Sequence, residues 1–142
     1  MFDNLKRLSI NSEMTAELTL YRVEGEPVLI LAPANEVNKP YFNELLRMSR
    51  KGRTRSAASL VNAAVIKENR DNDRELYPRF VIRGWRRVRG SDGKEVEATP
   101  ENVRAFCDQL PDWLFDEVRT FAMEIENFIP SETTPEEVSG NS

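Results

Sequence analysis

Two prolines, Pro100 and Pro111, constrain this chain more than any other feature. Proline is tolerated in a first helical turn, where its missing N–H is unsatisfied anyway, but it pushes the residue before it out of α geometry. Thr99-Pro100-Glu101-Asn102-Val103 therefore reads as a capped helix start, with a carboxylate near the positive end of the helix dipole. Val103, Phe106, Cys107 and Leu110 supply its buried stripe. Pro111 forces a break, and a second helix is predicted over residues 112–128, with Leu114, Val118, Phe121, Ala122 and Ile125 on one face. The C-terminal third is thus expected to be a helix–break–helix unit.

Upstream the period changes. Between residues 15 and 23, Ala16, Leu18 and Leu20 alternate with Glu17, Thr19 and Tyr21, which predicts a half-buried strand. Glu24-Gly25-Glu26-Pro27 is turn chemistry, and Val28-Leu29-Ile30-Leu31 is a second strand, either buried on both faces or covered by a helix. A lone hairpin is marginal in water, so helices must pack on it. Asn38 and Pro40 open a helix that carries Tyr41, Phe42, Leu45, Leu46 and Met48, with Gly52 as its stop. Residues 53–56 read as an exposed loop and 57–67 as a further helix, with Leu60, Val61, Ala64 and Val65 on one face. The charged run 68–75 is either a loop or a solvated helical turn. Residues 76–88 carry mixed signals: Pro78 could open a helix, whereas Phe80, Val81 and Ile82 favour a strand. The reading adopted is a helix ending between Gly84 and Arg87. Asp92-Gly93 marks a turn.

The fold class that follows is α+β, mainly α: a small N-terminal antiparallel hairpin packed on about four helices. Residues 1–13 are expected to be a polar arm, 14–130 a single globular domain, and 131–142 a disordered acidic tail.

Composition limits the chemistry. The chain of 142 residues has no histidine and one cysteine. Internal disulfides and His-dependent triads are excluded, and one thiol without an imidazole argues against a structural zinc site. Cys107 lies on a buried stripe without an activating imidazole, which suits a core residue better than a nucleophile. Asp112, Asp116, Glu117, Glu124 and Glu126 read as solvated acids of an amphipathic helix rather than an acid/base pair, and no Gly-rich phosphate loop is present. No cofactor is expected, and the chain is expected to bind rather than catalyse. Its first residues lack a signal-peptide core and no apolar run reaches membrane-spanning length, so the host cytoplasm is the expected compartment.

Charge is distributed unevenly. Residues 1–94 carry 18 Lys/Arg against 12 Asp/Glu, a net of +6, and residues 95–142 carry 2 against 12, a net of −10. This suits an oriented surface for partner choice or head-to-tail self-association, and equally two faces that neutralise each other within one fold. Arg47, Arg50, Lys51, Arg53 and Arg55 form one candidate basic surface. Arg83, Arg86, Arg87, Arg89 and Lys94 around Trp85 form another, better read as pairing with the acidic C-terminal helix than as a stacking platform for nucleic acid. A net charge of −4 also argues against nucleic acid as the partner. The candidate protein-binding residues are Trp113, Leu114, Phe115 and Asp116: three bulky neighbours on a helix cannot all face one core, so at least one is expected to point outward as an anchor.

The order of these signals resembles the tail assembly chaperones of long-tailed bacteriophages. The segments that carry the resemblance are Phe80-Val81-Ile82-Arg83-Gly84-Trp85, Ser91-Asp92-Gly93-Lys94, Thr99-Pro100-Glu101-Asn102-Val103, Leu110-Pro111-Asp112-Trp113-Leu114-Phe115 and Asn127-Phe128. The upstream apolar hairpin with Asn38-Lys39-Pro40-Tyr41 is also similar. The resemblance implies a non-enzymatic protein that coats the helical tape-measure protein, helps recruit tail-tube subunits, and is left out of the finished particle. The alternatives are a virion structural protein, such as a tail, neck or capsid accessory subunit, and a small nucleic-acid-binding regulator.

Overall fold

A computed structural model of the chain describes residues 5, 8–50 and 63–130. The element order is β1 (Ala16–Thr19), β2 (Val28–Leu31), α1 (Lys39–Arg50), α2 (Ala63–Phe80), β3 (Ile82–Arg86), α3 (Pro100–Gln109) and α4 (Asp112–Met123), closed by a 3₁₀ turn at Ile125–Asn127. Among the described residues the fold is α+β and mainly α, with the expected hairpin accompanied by four helices. The predicted stop at Gly52, the loop 53–56, Leu60, Val61 and the acidic tail lie outside the described residues.

The predicted hairpin is β1–β2, in antiparallel register with Leu18 opposite Leu29. Its turn uses positive φ at Gly25 (85°) and at Glu26 (49°). The sheet has a third strand. Residues 82–86, read from sequence as the end of a helix, pair antiparallel with β2, giving the order β1-β2-β3. The reason lies in the strand they join. Leu29 and Leu31 have no exposure, so β2 needs a partner on both edges to satisfy its backbone groups. The helix before β3 ends where the Val81 N–H reaches the Tyr77 carbonyl at 3.0 Å, while the Val81 carbonyl accepts from Ala32 N–H at 2.7 Å.

α2 runs through the charged segment 68–75, which is neither a loop nor a solvated turn. It carries Pro78 in its last turn, which removes one backbone donor from the helix ladder, and places Asp73, Leu76 and Tyr77 in the interior. Ala64, expected on an apolar face, is exposed. Asn38, 1% exposed, ties three elements together: its Nδ2 donates to the carbonyls of Pro33 (2.9 Å) and Phe80 (3.0 Å) at the start of α1. α3 begins as predicted, with Thr99 Oγ1 accepting from the Asn102 N–H at 3.2 Å.

α4 stops at Met123, five residues short of the predicted end. Asn127 Nδ2 donates to the Phe121 carbonyl at 2.9 Å, a side-chain cap that replaces continuation of the helix. Phe128 folds back to within 6.4 Å of the Phe121 ring, and Ile125 is left 48% exposed rather than on the buried face. The core forms where α2, α3 and α4 cover the sheet, built around Leu29, Leu31, Tyr77, Val103, Phe115 and Val118.

Candidate docking site

The helix that carries the candidate binding residues is fixed from one side by ion pairs. α4 presents Asp112, Asp116 and Arg119 at helical spacing to Arg70, Asp73 and Arg74 of α2. Arg70 forks onto Asp116 (3.0 and 2.8 Å) and reaches Asp112 at 3.4 Å. Arg74 bonds Asp112 at 2.8 Å and the carbonyls of Leu110 (2.9 Å) and Cys107 at the end of α3. Arg119 donates to Asp73 at 2.8 Å and to Asp116 at 3.0 Å, and Tyr41 Oη donates to the other Asp73 oxygen at 2.8 Å. The Arg70 guanidinium, with Arg119 beside it, holds the Asp116 carboxyl below its ordinary range against the opposing effect of burial. Burial pushes the Asp73 carboxyl up, with the Arg119 and Tyr41 bonds pulling the other way.

Of the four candidate contact residues, this frame leaves one free. Trp113 is 51% exposed. Leu114 and Phe115 belong to the core, at 5% and 0% exposure, and are withdrawn as contact residues. Phe115 meets Tyr77 edge-on at 5.4 Å and lies under the Arg74 guanidinium at 4.7 Å. Asp116 is committed to Arg70 and Arg119. Trp85 is half-buried, donates to the Val96 carbonyl at 2.8 Å and packs edge-on against Phe106.

Trp113 stands at one end of an open groove of about 470 Å³ between α4 and β1, whose floor and walls include Leu18, Glu117, Thr120, Phe121 and Glu124. Sequence reasoning did not bring Leu18 or Phe121 to this surface, because that requires knowing that the edge strand packs beside α4. Arg22, just past β1, lays its guanidinium 5.5 Å from the centre of the Trp113 ring and bonds Glu117 at 2.9 Å.

The basic surfaces are arranged otherwise than expected. Arg86 pairs in a fork with Glu17 of β1 (2.9 and 2.8 Å). Arg87, at a positive φ of 61°, takes the Glu95 carboxylate on its backbone N–H and the Glu26 carbonyl on its side chain. Arg83 reaches the Ser12 carbonyl. These cations are held by neighbours around the sheet and not by the acidic C-terminal helix. Arg89 is exposed beside the Gly90–Gly93 turn. Arg47 pairs with Glu44 at 2.7 Å, and the Arg50 side chain, Lys51, Arg53 and Arg55 lie outside the described residues. Cys107 is buried, and burial pushes its thiol up to about 12. Among the described residues no cluster of acids and thiols forms a metal ligand set, and no helix is long and apolar enough to cross a membrane.

Residues 37–141 match the family model described as YdaY prophage protein. The chain belongs to the YdaY prophage protein family. Neither a curated protein nor a solved structure matches it. The phage origin suggested by the chaperone resemblance is therefore shown, and the YdaY description names no activity. The YdaY match takes in the four described helices and β3 and so includes Trp113; it leaves β1, β2 and Arg22 outside.

Proposed function

We propose that the chain is a non-enzymatic phage assembly chaperone that binds the tape-measure protein and helps recruit tail-tube subunits. The observation that carries this reading is the exposed Trp113 in an open, partly apolar groove, on a helix held rigid by ion pairs to α2. An aromatic side chain left half in water, on a frame that does not need it for its core, is a typical partner anchor. Membership of a prophage family and the tail-chaperone order of sequence signals point to assembly as the setting. Helix-in-groove contact would cover apolar stripes of a long helical protein before it is packaged.

The test is a tagged pull-down from cells producing the phage proteins, at moderate salt with nuclease, comparing the native chain with Trp113→Ala. Recovery of one very long helical protein together with a tube subunit, both lost with the variant, is the expected result. Recovery of mature particle components without the long protein, or of the bait alone, overturns it.

A further inference from the structure

A cation already lies against two residues of the groove, Trp113 and Glu117, and it belongs to the chain itself. Arg22 is 69% exposed in its side chain, yet its guanidinium lies over the Trp113 ring and against Glu117. A ring face and a carboxylate together form a receptor for a guanidinium: the ring quadrupole attracts the cation and the carboxylate accepts its N–H groups. Both partners sit on one face of α4, at positions 113 and 117, and Thr120 and Glu124 continue that face. From 113 to 124 the helix rises roughly 16 Å, about three turns, which suits a helical segment lying along it. Leu18 and Phe121 supply apolar contact along this length. Glu124 has no ion-pair partner among the described residues, and Asp116 on the wall is already neutralised by Arg70 and Arg119. The groove is thus partly apolar, through Leu18, Trp113 and Phe121, and negative through Glu117 and Glu124, with Arg22 its basic neighbour.

Resting on the proposed function, we propose that the Trp113 groove recognises an amphipathic helix bearing arginine beside its apolar stripe, and that Arg22 is a resident placeholder which the partner's arginine displaces. Two consequences follow that simple apolar docking does not share. The native chain binds such a helix more weakly than the groove allows, because Arg22 must leave first. Removing Arg22 therefore strengthens binding, although it removes a visible contact.

The probe is a synthetic 18-residue amphipathic helical peptide with a leucine stripe flanked by arginines, compared with a peptide in which glutamate replaces each arginine. Binding is read on the full chain by fluorescence anisotropy of a dye-labelled peptide and by the two indole N–H resonances, assigned with Trp113→Phe. The arginine peptide should bind at least tenfold more tightly than the glutamate peptide and shift the Trp113 resonance but not that of Trp85. Arg22→Ala should tighten binding of the arginine peptide about three- to tenfold and leave the glutamate peptide unimproved. Equal affinity for the two peptides, or weaker arginine-peptide binding by Arg22→Ala, overturns the proposal. A Trp113-dependent pull-down of the long helical protein combined with either of those results would keep the chaperone reading and remove the placeholder. Arginine-selective peptide binding without that pull-down would do the reverse.

Discussion

Arg119→Met tests the ion-pair frame where it is most deeply buried. The substitution keeps an unbranched apolar stem and removes the guanidinium that faces Asp73 at 2.8 Å, with side-chain exposures of 16% and 5%. Asp73 then keeps only the Tyr41 hydroxyl. Breaking a buried pair from one side costs about 3–5 kcal/mol, because the remaining charge stays buried. Protonation limits that cost. A carboxyl with an ordinary value of 3.8 can take up a proton in the folded state, at about 1.4 kcal/mol per pH unit above that value. The carboxylate penalty is therefore capped near 4 kcal/mol at pH 7 and near 2 kcal/mol at pH 5. The sign follows from the raised folded-state value. As pH rises above 3.8 the unfolded chain gives up this proton first, so stability falls with rising pH until the folded carboxyl also ionises. Losing Arg119 lifts the folded value further and widens that window. The expected result is a loss of about 3 kcal/mol at pH 7, shrinking to below about 2 kcal/mol at pH 5, from urea denaturation at several pH values. Adding Asp73→Asn should restore part of the loss at pH 7, since no ionised group is then stranded. A loss independent of pH, or one below about 1 kcal/mol at pH 7, would refute the assignment of Asp73 as a buried carboxylate held by Arg119.

Phe115→Ala should destabilise by about 3–5 kcal/mol as a core cavity, whereas Trp113→Ala should cost below about 1 kcal/mol, both read by denaturant titration. Thr99→Ala removes the side-chain cap of α3 and should cost about 1 kcal/mol, with Thr99→Ser close to native. Cys107, its thiol pushed up to about 12, should resist a thiol reagent at pH 8 in the folded chain and react once denaturant is added.

Much of the fold was legible because its signals are local. A Thr-Pro-Glu start, a Leu-Pro step, a Gly-containing turn and a period-two strand each depend on a few neighbouring residues. β3 is not legible locally because its assignment is non-local: residues 82–86 form a strand since β2 offers an open edge, and α2 can end at Phe80 since the Asn38 amide and the Ala32 N–H donate to the Phe80 and Val81 carbonyls there. The charged stretch 68–75 was misread for a related reason. Composition suggests water, but Arg70, Asp73 and Arg74 face Asp112, Asp116 and Arg119, a pairing that only the packing of α2 on α4 creates.

The site divides along the same line. That one of Trp113, Leu114 and Phe115 must face outward is helix geometry, and Trp113 does so. Which of the three remains outside is set by α2, whose Tyr77 and Arg74 claim Phe115, and by the side of α4 that faces the sheet. The facing groove residue, Leu18, and the cation beside it, Arg22, come from nearly a hundred residues away in sequence. The acidity of the C-terminal part is then partitioned by structure: Asp112 and Asp116 are spent on holding α4 to α2, while Glu117 and Glu124 remain along the groove. A helix whose acids do two different jobs cannot be read from net charge. For the same reason neutralising Asp116 should loosen α4 itself, whereas neutralising Glu124 should alter only what the groove attracts.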